Sequence, residues 1–127
     1  MQERKKYFTL KEANQLIPQL EKQIATLKNL RGKLEGLGAE MTSLFKVIHH
    51  NGGHRKTSDF LRLMRQFQQT VDDIQSTGIL LKDIDRGLVD FPHLRNGREV
   101  HLCWRSGEEE IRHWHEIDSG FAGRQLL

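Results

Sequence analysis

Apolar residues recur at intervals of three and four from position 13 to position 48, a pattern typical of one long amphipathic helix. The residues that carry it are Ala13, Leu16, Ile17, Leu20, Ile24, Leu27, Leu30, Leu34, Leu37, Met41, Leu44, Phe45 and Ile48. Thr9 and Glu12 have the spacing of a capping box, and Phe8 is placed to pack against the first turn. We therefore predict a helix that begins at about Leu10, with a near-heptad apolar seam of the kind found in coiled coils.

Two features interrupt this pattern. Pro18 has no backbone N–H, so the helix either kinks there or restarts with Pro18 in its first turn. Gly32 and Gly36 weaken the middle of the helix, and they indicate either a close approach of another helix or a bend.

A second helix is predicted after a loop at 49–58, where Asn-Gly-Gly cannot hold a helix without cost. Thr57 or Ser58 can cap this helix, and Gly78 suits its C-terminal end. Its apolar residues are again three or four apart: Phe60, Leu61, Met64, Phe67, Val71 and Ile74. The two helices form an antiparallel hairpin whose apolar seams need a further partner. We therefore expect a homodimer that completes a four-helix bundle.

After position 78 the pattern shortens to strand-like runs at 79–82, 88–91 and 99–104, which predict an antiparallel meander. Residues 85–87 and the Asn96-Gly97 pair mark tight turns, and Pro92 is expected to end the middle strand. Ser106 and Glu109 form a second capping-box pattern, which predicts a short C-terminal helix.

The predicted fold class is α+β in one domain spanning 1–127. A long antiparallel helical hairpin occupies 8–78, and a small three-stranded antiparallel β-meander, a short helix and a tail occupy 79–127.

Charge and composition restrict the classes of partner. The chain has 20 basic and 17 acidic residues, a net charge of +3, and the two signs are interleaved rather than segregated. This argues against nucleic-acid binding, which needs basic residues on one face. No apolar run approaches the ~18 residues of a membrane helix, and no signal segment precedes the first helix. We therefore expect a cytoplasmic protein without a membrane partner. The single cysteine, Cys103, allows no intramolecular disulfide, which fits a reducing compartment or is silent about the location.

The candidate catalytic residues are His115, Asp118, His101 and Asp90. In the predicted helix His115 lies three residues before Asp118, and an aspartate that orients a histidine suits general base catalysis. On the last predicted strand, His101 and Cys103 share one face, and Asp90 on the neighbouring strand could join them. A histidine held by an aspartate is also a common structural arrangement.

Two weaker candidate sites lie in the same region. Glu110 and His113 have the spacing of one arm of a carboxylate-bridged metal site, but acidic residues are also common at a helix start. Arg86, Arg105 and Arg124 could bind a phosphate or carboxylate, or could pair with local aspartates. We expect no cofactor and no metal, with a divalent metal as the alternative.

Three segments resemble the prokaryotic family catalogued as domain of unknown function 2203. They are FTLKEAN at 8–14, followed by Pro18, LKDIDRGLVDFP at 81–92, and WHEIDSGFAGR at 114–124. The resemblance spans nearly the whole chain, and it implies a small bacterial cytosolic protein with no assigned activity and no catalytic residues to carry over.

Two functional hypotheses follow. The first is a dimeric binding or adaptor protein that recognises an anionic small molecule or a protein partner through its C-terminal third. The second is a metal-dependent or His/Asp-based enzyme of hydrolase type with its site in the same region. We favour the first, because no catalytic constellation is complete in the sequence, and whether the protein is an enzyme stays open.

Overall fold

The structure is a computed structural model that describes residues 5–45 and 51–127, with side chains for residues 5–40 and 55–127. In chain order the elements are α1 (Leu10–Phe45), α2 (Asn51–Gln75), β1 (Leu80–Asp83), β2 (Leu88–Arg95), β3 (Arg98–Arg105), β4 (His113–His115), a 3-10 turn (Phe121–Gly123) and β5 (Gln125–Leu126). The five strands form one antiparallel sheet in sequential order. The predicted α+β class is confirmed, and the sheet has five strands rather than three.

Helix α1 begins at Leu10, as the capping box predicts. The Thr9 amide donates to Glu12 Oε1 at 3.0 Å, and the Glu12 amide donates to Thr9 Oγ1 at 3.1 Å. These two bonds satisfy amide groups that have no partner inside the helix. Phe8 is buried next to this start. The helix continues through Pro18 without restarting.

Gly32 and Gly36 do not mark a close approach of another helix. A Cβ atom added at either position would meet no atom within 4 Å, because both glycines lie on the exposed side of α1. Their lower helix propensity is a local cost that the packing of the rest of α1 outweighs.

Helix α2 is longer than predicted. The predicted loop spans 49–58, but residues 51–58 are helical, so the loop prediction is wrong for these residues. Positions 49 and 50 lie outside the described residues. The helix includes Gly52 and Gly53 despite their poor helix propensity. Lys56 on α2 pairs with Glu40 on α1 at 2.8 Å across the hairpin. Gly78 follows the helix end with a φ of +101°, as expected for a glycine there.

The pH dependence of stability tests the α1 start. Backbone and side-chain hydrogen bonds from Thr9, with Lys6 nearby, lower the pKa of Glu12 from 4.5 to about 2. A carboxyl with a lowered folded-state pKa stabilises the fold above its unfolded pKa, and this contribution disappears as the pH falls towards the folded value. We expect Glu12→Gln to be less stable than the wild type above about pH 4.5, with the gap closing towards pH 2.

Denaturant unfolding of both proteins between pH 2 and pH 7 measures this gap. Glu109→Gln is the matched control, because Glu109 occupies the same position in the second capping-box pattern but caps no helix. A gap for Glu12→Gln that is independent of pH would contradict the assignment.

Strands β2 and β3 form a continuous hairpin joined by a short turn. β2 and β3 pair along their whole lengths, from Leu88 opposite Arg105 to Arg95 opposite Arg98. Asn96 and Gly97 join them with φ values of +53° and +78°, the left-handed pair that a type I′ hairpin turn needs. The Asn96-Gly97 turn is therefore confirmed.

Pro92 lies inside β2 opposite His101, so the prediction that it ends the strand is wrong. The Pro92 carbonyl accepts a bond from the Phe8 amide at 2.7 Å, on the side of β2 away from β3. The N and C=O of one strand residue point to the same side, so the missing N–H of Pro92 also points away from β3. The pairing of β1 ends at Asp90, so no ladder bond is lost at Pro92.

The helix predicted to begin near Ser106 does not form. Residues 106–107 form a turn, residues 108–112 have no helical or strand structure, and the chain then forms β4. Glu21 on α1 accepts hydrogen bonds from Ser106 Oγ at 2.7 Å and from the Gly107 amide at 2.8 Å. The serine that would cap a helix is thus bound to another element, and Gly107 has a φ of +102°, outside the helical region. The C-terminal helical element is instead the 3-10 turn.

One face of the sheet packs against α1 in a single core. The core residues of α1 are Ala13, Ile17, Leu20, Ile24 and Leu27, and those of β2 and β3 are Val89, Phe91, Val100, Leu102 and Trp104. Because side chains alternate along a strand, the residues between them point to the opposite face. Among the described residues no helix is both long and apolar enough to cross a membrane.

Candidate functional site

Four polar or polarisable side chains meet on the sheet face opposite the main core. They come from three adjacent strands: Asp90 from β2, His101 and Cys103 from β3, and His115 from β4. Asp90 is opposite Cys103, and His101 is opposite His115, so the strand registers place the four side chains side by side. All four are buried, and His115 is only 1% exposed.

Asp90 is the centre of this cluster. Its Oδ2 atom lies 3.1 Å from His115 Nε2 and 3.3 Å from His101 Nδ1. The two imidazole rings contact each other edge to face, with centroids 5.4 Å apart. One buried carboxylate oxygen therefore faces a ring nitrogen from each histidine.

The tautomer of His115 follows from its other nitrogen. His115 Nδ1 lies 2.6 Å from the carbonyl oxygen of Glu116, which can only accept, so Nδ1 carries the proton. In the neutral ring Nε2 then has a lone pair, and this lone pair faces the carboxylate oxygen of Asp90. Neither His115 Nε2 nor His101 Nδ1 has a hydrogen bond of good geometry, although both atoms are buried. Two acceptors that face each other repel unless a proton or a cation lies between them.

The electrostatics favour a negative charge on Asp90 and a neutral Cys103. Burial raises the pKa of the Asp90 carboxyl, but its polar contacts with His101 and His115 outweigh burial and leave the pKa below its ordinary value. Burial, together with the negative charge of Asp90, raises the pKa of the Cys103 thiol to about 11. Cys103 is therefore a thiol at neutral pH when nothing is bound to it.

The donor set has the chemistry of a transition-metal site. One donor atom from each of Asp90, Cys103 and His115 lies within 4.8 Å of the other two. The 3.1 Å between Asp90 Oδ2 and His115 Nε2 is close to the ~3.3 Å between two ligands that bind a tetrahedral zinc ion at ~2.0–2.1 Å. The backbone bond at Nδ1 leaves Nε2 as the available ligand atom, which is the usual arrangement for metal-binding histidines.

The same three residues line a cavity of 260 Å³. The other residues around it are Lys82, Asp83, Leu88, Ile117, Gly120 and Phe121. The cluster is thus buried but borders a space that a small molecule could occupy.

The reactivity of Cys103 is a direct test of this environment. A thiol with a pKa of about 11 has roughly a hundredfold less thiolate near pH 8 than an ordinary cysteine, and the thiolate is the nucleophile. We expect an aromatic disulfide reagent to react with the native, metal-free protein at least about a hundred times more slowly than with the protein in denaturant. Equal rates in both states would contradict the buried, protonated thiol.

A family model described as "Uncharacterized conserved protein (DUF2203)" matches residues 6–127. The chain belongs to this family. No curated protein and no solved structure matches the chain. The family match confirms the resemblance carried by the three sequence segments, and it assigns no activity to the cluster around Asp90.

The structure brings together some of the predicted site residues of this DUF2203 chain and separates others. The predicted juxtaposition of His101, Cys103 and Asp90 is present. His115 is next to Asp90 rather than Asp118, because residues 113–115 form a strand and not a helix. Asp118 is exposed in the turn that follows β4.

Glu110 and other carboxylates near His113 in the sequence do not form a cluster with it. Glu110 pairs with Arg112 at 3.1 Å, and Glu116 pairs with Arg98. His113 Nδ1 lies 3.8 Å from Glu108 Oε2. Glu110 and His113 are therefore not brought together as arms of a metal site.

The three candidate arginines do not converge on one position. Arg124 donates to both carboxylate oxygens of Glu108, at 2.8 and 2.9 Å, and stacks on the Phe121 ring. Arg86 lies in the β1–β2 turn, 3.9 Å from a carboxylate oxygen of Asp83. Arg105 is exposed at the end of β3.

Sequence reasoning missed the position of His115 opposite His101. The signal that could have located it is weak: residues 113–115 alternate as His-Trp-His, which suits a strand with Trp114 in the core. The acidic residues before this segment indicated a helix start and obscured that alternation.

Proposed function

We propose that the protein binds a divalent transition metal through Asp90, Cys103 and His115. The observation that carries this proposal is the buried Nε2 atom of His115. It lies 3.1 Å from a carboxylate oxygen with no hydrogen bond of good geometry, while Nδ1 is committed to the Glu116 carbonyl. A cation between the two atoms would satisfy both of them.

The mixed donors favour zinc-like ions over calcium or magnesium. A thiolate, an imidazole and a carboxylate suit Zn²⁺, Co²⁺ or Fe²⁺, whereas the harder ions prefer a shell of oxygen atoms. His101 is placed to hold the Asp90 carboxylate, and the Glu116 carbonyl holds the His115 ring. Such supporting contacts orient the ligands of protein metal sites.

This proposal replaces anion recognition by arginine as the favoured function. A phosphate or carboxylate site would need several guanidinium groups directed at one position. Arg124 is engaged by Glu108, Arg86 lies in the β1–β2 turn beside Asp83, and Arg105 is exposed at the end of β3. The His/Asp cluster therefore gives more support to the metal-dependent alternative than to an arginine-based binding site.

Metal titration tests the proposal. Protein stripped with a chelator should bind one Zn²⁺ or Co²⁺ per chain, and the Co²⁺ form should show thiolate-to-cobalt charge-transfer absorption. His115→Ala should weaken binding by more than about a hundredfold, and Cys103→Ser should remove the charge-transfer band. The matched control is His113→Ala, which removes a neighbouring histidine of the same strand that is outside the cluster.

Two results would overturn the proposal. One is the absence of stoichiometric metal in the wild type. The other is equal loss of binding in the His113 and His115 variants, which would point to an unrelated site. Circular dichroism of each variant shows whether the fold is kept.

We also propose that the chain forms a homodimer through its helical hairpin. Leu61 and Met64 lie one turn apart on α2 and are 49% and 47% exposed. Large apolar side chains that share one helix face are typical of a packing surface. A second copy could cover them in a four-helix arrangement.

Light scattering measures the dimer directly. At micromolar concentration we expect a mass of twice the chain's 14.8 kDa, and a monomer for the double variant Leu61→Lys with Met64→Lys. Leu94→Lys is the control, since Leu94 is equally exposed but lies on β2. A monomeric wild type would remove the dimer proposal and leave the metal proposal intact.

A further inference from the structure

The cavity beside the cluster is lined by both polar and apolar side chains. Asp90, Cys103 and His115 form part of the lining. Leu88, Ile117 and Phe121 provide apolar surface on other parts of it. At 260 Å³ the cavity is slightly smaller than the ~300 Å³ at which sites for drug-sized ligands begin, so it suits a smaller molecule.

A metal held by three protein ligands keeps one coordination position open, as in catalytic rather than structural zinc sites. All three proposed ligands line this one cavity. The open position of a four-coordinate ion would therefore face the cavity, where a bound molecule could take it.

The charges around the cavity favour an anionic ligand. A divalent ion with one thiolate, one carboxylate and one neutral imidazole has no net charge. Lys82 lines the cavity, and its ammonium group has no hydrogen bond or ion pair within the part of the chain that the structure describes. Asp83 accepts a bond from the Arg86 amide at 3.1 Å, and its other carboxylate oxygen lies 3.9 Å from the Arg86 guanidinium, which offsets part of its charge. Lys82 is left to compensate one further negative charge.

Phe121, one of the residues that line the cavity, is held by a neighbouring arginine. Phe121 opens the 3-10 turn, and the Arg124 guanidinium stacks on its ring, 4.6 Å from the centroid. Arg124 is itself bound to Glu108 and, at 3.4 Å, to the Cys103 carbonyl. Phe121 is thus linked through Arg124 to the strand that carries Cys103.

From these observations we propose that the cavity binds a small carboxylate-type molecule with a short hydrocarbon body. Its oxygen atoms take the open position of the metal, Lys82 balances its charge, and its hydrocarbon contacts Leu88, Ile117 and Phe121. This inference rests on the proposed metal site and adds the class of ligand to it.

The test uses the Co²⁺-loaded full chain and two hydroxamates, which are carboxylate analogues that chelate metals. Butyrohydroxamate and acetohydroxamate are titrated while the visible cobalt absorption is recorded. We expect both to change the spectrum and butyrohydroxamate to bind about tenfold more tightly, because it buries two more CH₂ groups. Lys82→Gln should weaken deprotonated hydroxamate binding severalfold, and Lys11→Gln, an exposed lysine on α1, should not.

The outcomes separate the two proposals. If cobalt binds with its thiolate band but neither hydroxamate changes the spectrum, the ligand proposal is wrong and the metal site stands. Equal affinity for the two hydroxamates would overturn the apolar part of the site. If no cobalt band appears before ligand is added, the metal proposal itself fails, and the ligand proposal fails with it.

Discussion

Asp90→Ala is expected to lower the free energy of unfolding of the metal-free protein by about 3–5 kcal/mol at pH 7. Asp90 is 4% exposed, and its Oδ2 atom is the shared neighbour of a ring nitrogen from each of two buried histidines. In the metal-free protein a proton must lie between Asp90 Oδ2 and a facing ring nitrogen, so removing the carboxylate leaves the buried rings without the group that shares this proton, which is the costly way to break a buried polar cluster. Denaturant unfolding in the presence of a chelator measures the change.

Asp118→Ala is the matched control for this variant. Asp118 is the carboxylate that the helical interpretation placed beside His115, and the structure leaves it exposed. We expect its removal to change stability by less than about 0.5 kcal/mol, as for most exposed positions. Similar losses in the two variants would mean that Asp90 is not the partner of His115.

Trp104→Ala is expected to cost about 3–5 kcal/mol through a different mechanism. Trp104 is fully buried between α1 and the sheet, so its removal leaves a large cavity in the core. Its Nε1 also donates to the Glu108 carbonyl at 2.9 Å, which fastens the turn after β3. Thermal and denaturant unfolding should both show this loss of stability, unless neighbouring side chains fill the space that Trp104 leaves.

The adjacent residue provides the control. Arg105→Ala changes an exposed side chain on the same strand and should alter stability by less than about 0.5 kcal/mol. Trp104→Phe keeps much of the buried area but loses the hydrogen bond to the Glu108 carbonyl. We expect its loss of stability to lie between those of Arg105→Ala and Trp104→Ala. If Trp104→Ala were as stable as Arg105→Ala, the core assigned to this face of the sheet would be wrong.

Features set by neighbouring residues could be predicted from the sequence. The α1 start depends on two bonds between Thr9 and Glu12, and both are present. The Asn96-Gly97 turn depends on the ease with which these residues adopt a positive φ. The alternation that places His101 and Cys103 on one face of β3 is likewise a property of the strand itself.

The second capping-box pattern shows where such prediction ends. Ser106 and Glu109 have the spacing of Thr9 and Glu12, yet no helix follows, because Glu21 on α1 binds Ser106 and Gly107. Glu21 is 85 positions from Ser106, and nothing within the C-terminal segment indicates its presence. A local preference of about 1 kcal/mol can be outweighed by contacts of this kind.

The chain by itself therefore determined its α+β class, the α1 start, the hairpin turn and the common strand face of His101 and Cys103, because short-range bonds and residue periodicity set these features. Only the tertiary structure decided that 113–115 form a strand and that His115 joins Asp90 rather than Asp118. The contacts responsible join α1 to the C-terminal turns and β4 to β3, far apart in sequence. They are also what places Asp90, Cys103 and His115 around one cavity.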